Sequence, residues 1–128
     1  METPESERIR LLVLTPEYRD FLWLGYLLEQ DPAMAPELTW CPDLIDCEDL
    51  LSNAQFDVIL WDCIFHGGSE TGFLRYLTVS GRERPVIALG ADPEYRLAPP
   101  MLAAGAADYL CRQDLDRWNL CRAVRCLC

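Results

Sequence analysis

The chain has 128 residues, 51% of them hydrophobic and 25% charged, with 21 acids against 11 bases for a formal net charge of −10. One domain of this length builds a core without metal or disulfide staples, and the balance excludes disordered, collagenous and coiled-coil chains. The acidic excess repels phosphate backbones and anionic lipid, no apolar run is long enough to span a bilayer and no signal-like leader opens the chain. We therefore expect a cytoplasmic protein with neither a nucleic-acid nor a membrane partner.

In chain order, residues 1–8 are polar and read as a tail, and 9–128 as the domain. Ile9 to Leu14 is a short apolar strand stopped by Pro16. Glu17 to Gln30 carries Phe21, Leu24, Leu27 and Leu28 at helical spacing, with Asp31-Pro32 as the stop. Glu37 to Cys41 predicts a second strand. Pro42 and Asp43 open a second helix with Leu44, Cys47, Leu50 and Leu51 on one face. Phe56 to Trp61, followed by Asp62, is apolar on both faces, as a central parallel strand must be. A loop with His66, Gly67, Gly68 and Gly72 leads to a helix through Leu74 and Leu77. Pro85 to Leu89 is a fourth strand. The stretch from Asp92 to Gly105 is helical towards its end, Pro100 suiting the first turn of a shortened helix. Ala107 to Cys111 is a fifth strand, and Asp114 is expected to cap a last helix with Leu115, Trp118, Leu120, Cys121, Val124 and Leu127.

Strand then helix, five times over, demands an α/β fold: a doubly wound, five-stranded parallel sheet with right-handed crossovers. In such sheets ligands and chemistry sit at the carboxyl ends of the strands. The residues standing there are Thr15, Pro16 and Glu17, then Asp62, Gly90 and Arg112. An aspartate in the place of Asp62 serves as nucleophile or metal ligand, or it ends its strand by accepting loop N–H groups. The seven cysteines form no C-x-x-C and the chain has a single histidine, His66, so zinc spacings are absent. The thiols, Cys63 and Cys111 included, read as small buried hydrophobes, and His66 as a loop residue without a positioned partner.

These segments together resemble the receiver domain of two-component response regulators over about residues 8–128. Ile9 to Glu17 looks like the first strand and its acidic turn, and Phe56 to Asp62 like the third strand ending in the phosphoacceptor. Arg84 to Ala91 is similar to the fourth strand, and Ala103 to Arg112 to the fifth with its aromatic switch. The resemblance implies the flavodoxin-like (βα)5 fold and makes Asp62 the candidate phosphoacceptor, with Gly90, Tyr109 and Arg112 at the switch positions.

Departures from the pattern are as informative. The resemblance implies an acidic pair where this chain has Thr15 and Pro16; only the next residue, Glu17, is acidic. A hard cation needs oxygen ligands, preferably anionic, so Asp62 and the Ile64 carbonyl are expected to hold Mg²⁺ weakly or not at all. Gly90 stands where a Ser or Thr hydroxyl follows the phosphoryl group, and Arg112 replaces a lysine with a planar fork. With the acidic pair gone, Asp62 is expected to pair with Arg112 and so mimic one fixed state without phosphate.

The leading expectation is thus a degenerate receiver, not an enzyme and with no resident cofactor. It acts as an interaction or dimerisation module through a protein partner or a linked output domain, in a two-component or cyclic-di-GMP-type pathway. The alternatives are a conventional phospho-accepting receiver using Asp62 and a small flavodoxin-like binding domain. The wide apolar arc of the last helix and its Arg117, Arg122 and Arg125, beside Asp92, Glu94 and Asp108, point to homodimerisation or docking through the fourth helix, fifth strand and fifth helix.

Overall fold

The computed structural model describes residues 8–63 and 72–128. His66, Gly67, Gly68 and the Ile64 carbonyl lie outside the described residues, as do 1–7 of the expected tail. The elements alternate along the chain: β1 (Ile9–Leu14), α1 (Tyr18–Glu29), β2 (Pro36–Cys41), α2 (Leu44–Asn53), β3 (Val58–Asp62), α3 (Gly72–Val79), β4 (Val86–Gly90), α4 (Ala98–Ala103), β5 (Asp108–Cys111) and α5 (Arg117–Arg125). The strands form one sheet in the order β2-β1-β3-β4-β5, every pair parallel.

Period-two alternation divides the core into two layers. Leu11 and Val13 of β1, Val58 and Leu60 of β3 and Ile87 and Leu89 of β4 point to one face. They meet Leu24 and Leu28 of α1 and Leu120, Cys121 and Val124 of α5 there. Leu12, Leu14, Ile59, Trp61, Val86 and Ala88 point to the other face, against Cys47 and Leu51 of α2, Phe73, Leu74 and Leu77 of α3 and Met101 of α4. The fully buried Trp61 meets the Phe73 ring at 5.0 Å between centroids. Five of the seven cysteines are buried, as expected of small apolar residues, and all seven are free thiols.

Local details depart from expectation at two helix starts. Asp116, not Asp114, caps α5: its side chain accepts from the Asn119 N–H and the Asn119 side chain accepts from the Asp116 N–H. The chain first makes a 3-10 turn over Arg112–Asp114, which delays the helix, and Asp114 contributes a carbonyl to Asn119 Nδ2 instead. In α2 the inward row is Cys47 and Leu51, and Leu44, one turn earlier, remains substantially exposed. Pro99 and Pro100 lie in the first turn of α4, where no intrahelical N–H bond is lost. Among the described residues, no helix is long and apolar enough to cross a membrane.

Candidate functional site

Parallel strands bring their carboxyl ends to one edge, where Thr15 follows β1, Asp62 ends β3, Gly90 ends β4 and Arg112 follows β5. Asp62 ends β3 with 4% of its surface exposed. Thr15 follows β1, is equally buried, and donates from Oγ1 to Asp62 Oδ2 at 3.3 Å. From the end of β5, Arg112 Nη1 donates to the same Oδ2 at 2.8 Å. The expected Asp62–Arg112 pair is therefore formed.

The arginine does more than pair with one acid. Its Nη2 lies 3.0 Å from Oδ1 of Asp20, and its guanidinium carbon lies 5.7 Å from the Trp23 ring centroid. Both residues belong to the first two turns of α1. The planar fork thus bridges two carboxylates while its face lies over an aromatic ring, contacts that a lysine ammonium does not reproduce. Burial lowers the Arg112 pKa, but the hydrogen bond to Asp20 and the charge of Asp62 outweigh it and raise the guanidinium above its ordinary value. Glu17 occupies the N-cap position of α1, is exposed, and makes no capping bond.

Asp20 was not anticipated. A signal was present: α1 starts at the carboxyl edge, and side chains in the first turn of a helix lean back towards its N-terminus. An acid three residues beyond Glu17 could therefore reach the site that Thr15 and Pro16 leave short of carboxylates.

Among the described residues, the donor set does not fit a Mg²⁺ ion. Asp62 and Asp20 already share one guanidinium, Thr15 supplies a neutral hydroxyl, and Glu17 is exposed and makes no capping bond. A divalent ion entering here would face a fixed positive charge in place of a third acid.

The other half of the edge is built differently. An ideal Cβ on Gly90 would lie 1.7 Å from the Tyr109 hydroxyl oxygen and 2.5 Å from Cζ, so the tyrosine ring fills the space of the absent side chain. Tyr109 is 5% exposed. Its hydroxyl donates to Asp92 Oδ1, and Asp92 Oδ2 accepts from the Leu97 N–H at 3.0 Å. Burial pushes the Tyr109 phenol well above the usual tyrosine range, and the Asp92 bond adds to this. The same bond is the main reason that Asp92 titrates below the usual carboxylate value.

Tyr95 completes this half. Its ring meets Tyr109 edge-on at 6.1 Å, its hydroxyl donates to Asp114 Oδ2 at 2.6 Å, and its backbone is left-handed with φ of 56°. A bulky residue pays about 1–2 kcal/mol for that conformation, so the surrounding bonds hold the β4–α4 loop in one shape. Cys63 and Cys111 flank the site and are buried; Cys63 Sγ donates to the Leu89 carbonyl at 3.2 Å.

The α5 surface keeps less open apolar area than its sequence promised. Leu120, Cys121 and Val124 are buried against the chain's own core, and Trp118 alone of the named arc is fully open, at 71%. Arg117 lies over its ring at 5.1 Å. Asp92 and Asp108 both bond to Tyr109, Glu94 pairs with Arg96, and Arg125 pairs with Asp31 at 3.2 Å.

No family model matches the sequence, and no curated protein matches it. The structure, in contrast, is similar to the receiver domain of a Francisella response regulator. The TM-score is 0.79 at 21% identity, over 94% of this chain and 96% of that one. A response regulator from Thermotoga maritima aligns with a TM-score of 0.80 at 20% identity, over 94% and 97% of the two chains. Full-length FixJ from B. japonicum aligns at 0.77 and 18% identity over 92% of this chain but 56% of its own length. With its all-parallel sheet in the order 2-1-3-4-5 and Asp62 at the end of the central strand, the chain has the fold of a response regulator receiver domain.

Proposed function

We propose that this chain is a receiver-fold signalling module whose site is held in one state by its own Arg112. It works by binding a protein partner, a linked output domain or a second copy, without depending on phosphorylation of Asp62, in the cytoplasm and without enzymatic activity. The observation that carries this reading is the guanidinium bridge from Asp62 to Asp20. Phosphoryl transfer to a carboxylate needs positive charge on the phosphoryl oxygens and an unencumbered carboxylate oxygen. Arg112 and Thr15 both occupy Asp62 Oδ2. The Tyr109–Gly90 interlock supports the same reading, because no Ser or Thr hydroxyl at position 90 is available to follow a phosphoryl group. A linked output domain is suggested by full-length FixJ, a chain nearly twice as long as the part that aligns here. A cyclic-di-GMP-type pathway is the finer form of this proposal and rests on the sequence of β5 and α5.

Intact-mass analysis after incubation with acetyl phosphate and Mg²⁺ tests it. The expected result is an unmodified chain. A stoichiometric gain of one phosphoryl group, lost in Asp62→Asn, would establish the alternative of a conventional phospho-accepting receiver, which the retained Asp62 at the end of β3 favours.

A further inference from the structure

The outer face of α1 carries a row with no role in the carboxyl-edge site. Arg19, Leu22, Tyr26 and Glu29 follow one another at spacings of three, four and three, all exposed, which is the a/d seam of a coiled coil. Leu22 and Tyr26, its apolar centre, are 53% and 62% exposed, and Tyr18 extends the row at 52%. Tyr18 continues the apolar surface onto β2, its ring lying 4.9 Å from that of Trp40. Beside the row, Gly25 lies so close to β2 that an added Cβ would be 3.0 Å from Leu38 Cδ1. The missing side chain contributes to a groove of about 360 Å³ between α1 and the edge strand.

The charge pattern selects the occupant. The seam is apolar in the middle, basic at its N-terminal end and acidic at its C-terminal end, with one charge of each sign. A uniformly acidic or basic partner gains at one end and loses at the other. A second α1 running antiparallel, with the two-fold axis passing level with residue 24, matches at every layer: Leu22 of one copy meets Tyr26 of the other, and Arg19 meets Glu29 at both ends. These are the a-to-d layers of an antiparallel coiled coil, and the surface is its own complement under two-fold symmetry. It also brings two chains of net charge −10 together through a patch that is itself neutral.

We infer that α1 is a homodimerisation surface, pairing antiparallel with the α1 of a second copy through Leu22 and Tyr26, with Arg19–Glu29 pairs at the two ends. This deepens the interaction-module reading but stands apart from the state of Asp62, so sedimentation can refute it while the mass assay leaves that reading intact, and the reverse.

Sedimentation velocity of the full chain under reducing conditions, which exclude disulfides through the exposed Cys126 and Cys128, tests the inference. The four seam residues are exposed, so variants there leave folding intact. Wild type should show a concentration-dependent monomer–dimer equilibrium, abolished in Leu22→Glu. Arg19→Glu and Glu29→Arg should each weaken the dimer about tenfold, since each turns two attractive contacts into two repulsive ones, and the double variant should restore it. A wild type monomeric at several hundred micromolar overturns the inference. So does a dimer indifferent to Leu22→Glu, a double variant no tighter than the singles, or a dimer that responds to Arg122→Glu on α5 in place of Arg19→Glu.

Discussion

The two halves of the carboxyl edge are filled by opposite physical means. At the ends of β1 and β3 an electrostatic substitution operates: an arginine stands among carboxylates and neutralises them. At the ends of β4 and β5 the substitution is steric: a glycine yields its volume to a tyrosine ring, which bonds to the following loop. The first half resists change because removing the charge strands a buried acid. The second resists because there is no room for another rotamer partner at position 90. The edge thus has two different fillings, one of charge and one of volume.

The largest effect should come from Arg112→Ala. Removing one partner of a buried pair costs about 3–5 kcal/mol because the other charge is left uncompensated. Arg112 remains partly open to solvent, so a loss near 3 kcal/mol is expected in urea unfolding. Arg112→Lys should recover part of it, the ammonium reaching one acid but not bridging both. A cost under about 1 kcal/mol for the alanine variant would reduce the bridge to an ordinary surface pair.

Next comes Gly90→Ser. The new Cβ cannot coexist with the inward Tyr109 ring, and overpacking of this kind costs about 1–3 kcal/mol. The near-UV circular dichroism of the tyrosines should change with it. In a Tyr109→Ala background the same change should cost almost nothing, a non-additivity that residues sharing one space must show. Additive costs would mean that the two positions are independent.

Tyr109→Phe keeps the ring and removes one hydrogen bond, so about 1 kcal/mol is expected. The pH dependence has a definite sign at each end. The folded phenol of Tyr109 titrates above the unfolded one, so its contribution is complete below about pH 10 and is lost as pH rises beyond that. Asp92 titrates below its unfolded value, so its contribution is present above about pH 4 and is lost as pH falls through the folded value. Tyr109→Phe should therefore flatten the alkaline decline in stability; an unchanged alkaline limb would assign that decline to another group.

The smallest effect belongs to Thr15→Val. It preserves shape and deletes the long 3.3 Å bond to Asp62, for an expected loss of about 0.5–1 kcal/mol. A loss as large as that of Arg112→Ala would shift the weight of the site from the guanidinium to the hydroxyl.

Much of this was legible in the residues. Continuous apolar runs bounded by Pro, Asp and Gly located all five strands within two residues, because a buried parallel strand tolerates little else. The position of Asp62 followed from topology, and its pairing with Arg112 was expected from the receiver resemblance, which implies an acidic pair where Thr15 and Pro16 stand. Asp20 escaped notice because its role depends on the direction in which α1 leaves the sheet edge, not on spacing along β1. The α5 cap was misplaced by two residues because the intervening 3-10 turn has no strong apolar signature, although Asp116-x-x-Asn119 is itself a capping-box spacing. Gly90 read as the loss of a hydroxyl; only the packing reveals that it is also the room Tyr109 occupies. Trp118 belonged to an apolar arc in sequence, yet its neighbours turn inward while it stands free, a consequence of how α5 rolls onto α1 and the sheet.

Arg112 bridges Asp62 and Asp20, and on the proposed reading it should leave no room for a divalent ion between them. Titration of wild type with Mg²⁺ to millimolar concentration, followed by ¹H–¹⁵N correlation NMR, tests this. No saturable shift is expected at the amides of Glu17, Asp20 or Asp62, and the Arg112 side-chain Nε–H resonance should stay in place. Saturable shifts centred on those residues, with displacement of the Arg112 resonance, would contradict that reading.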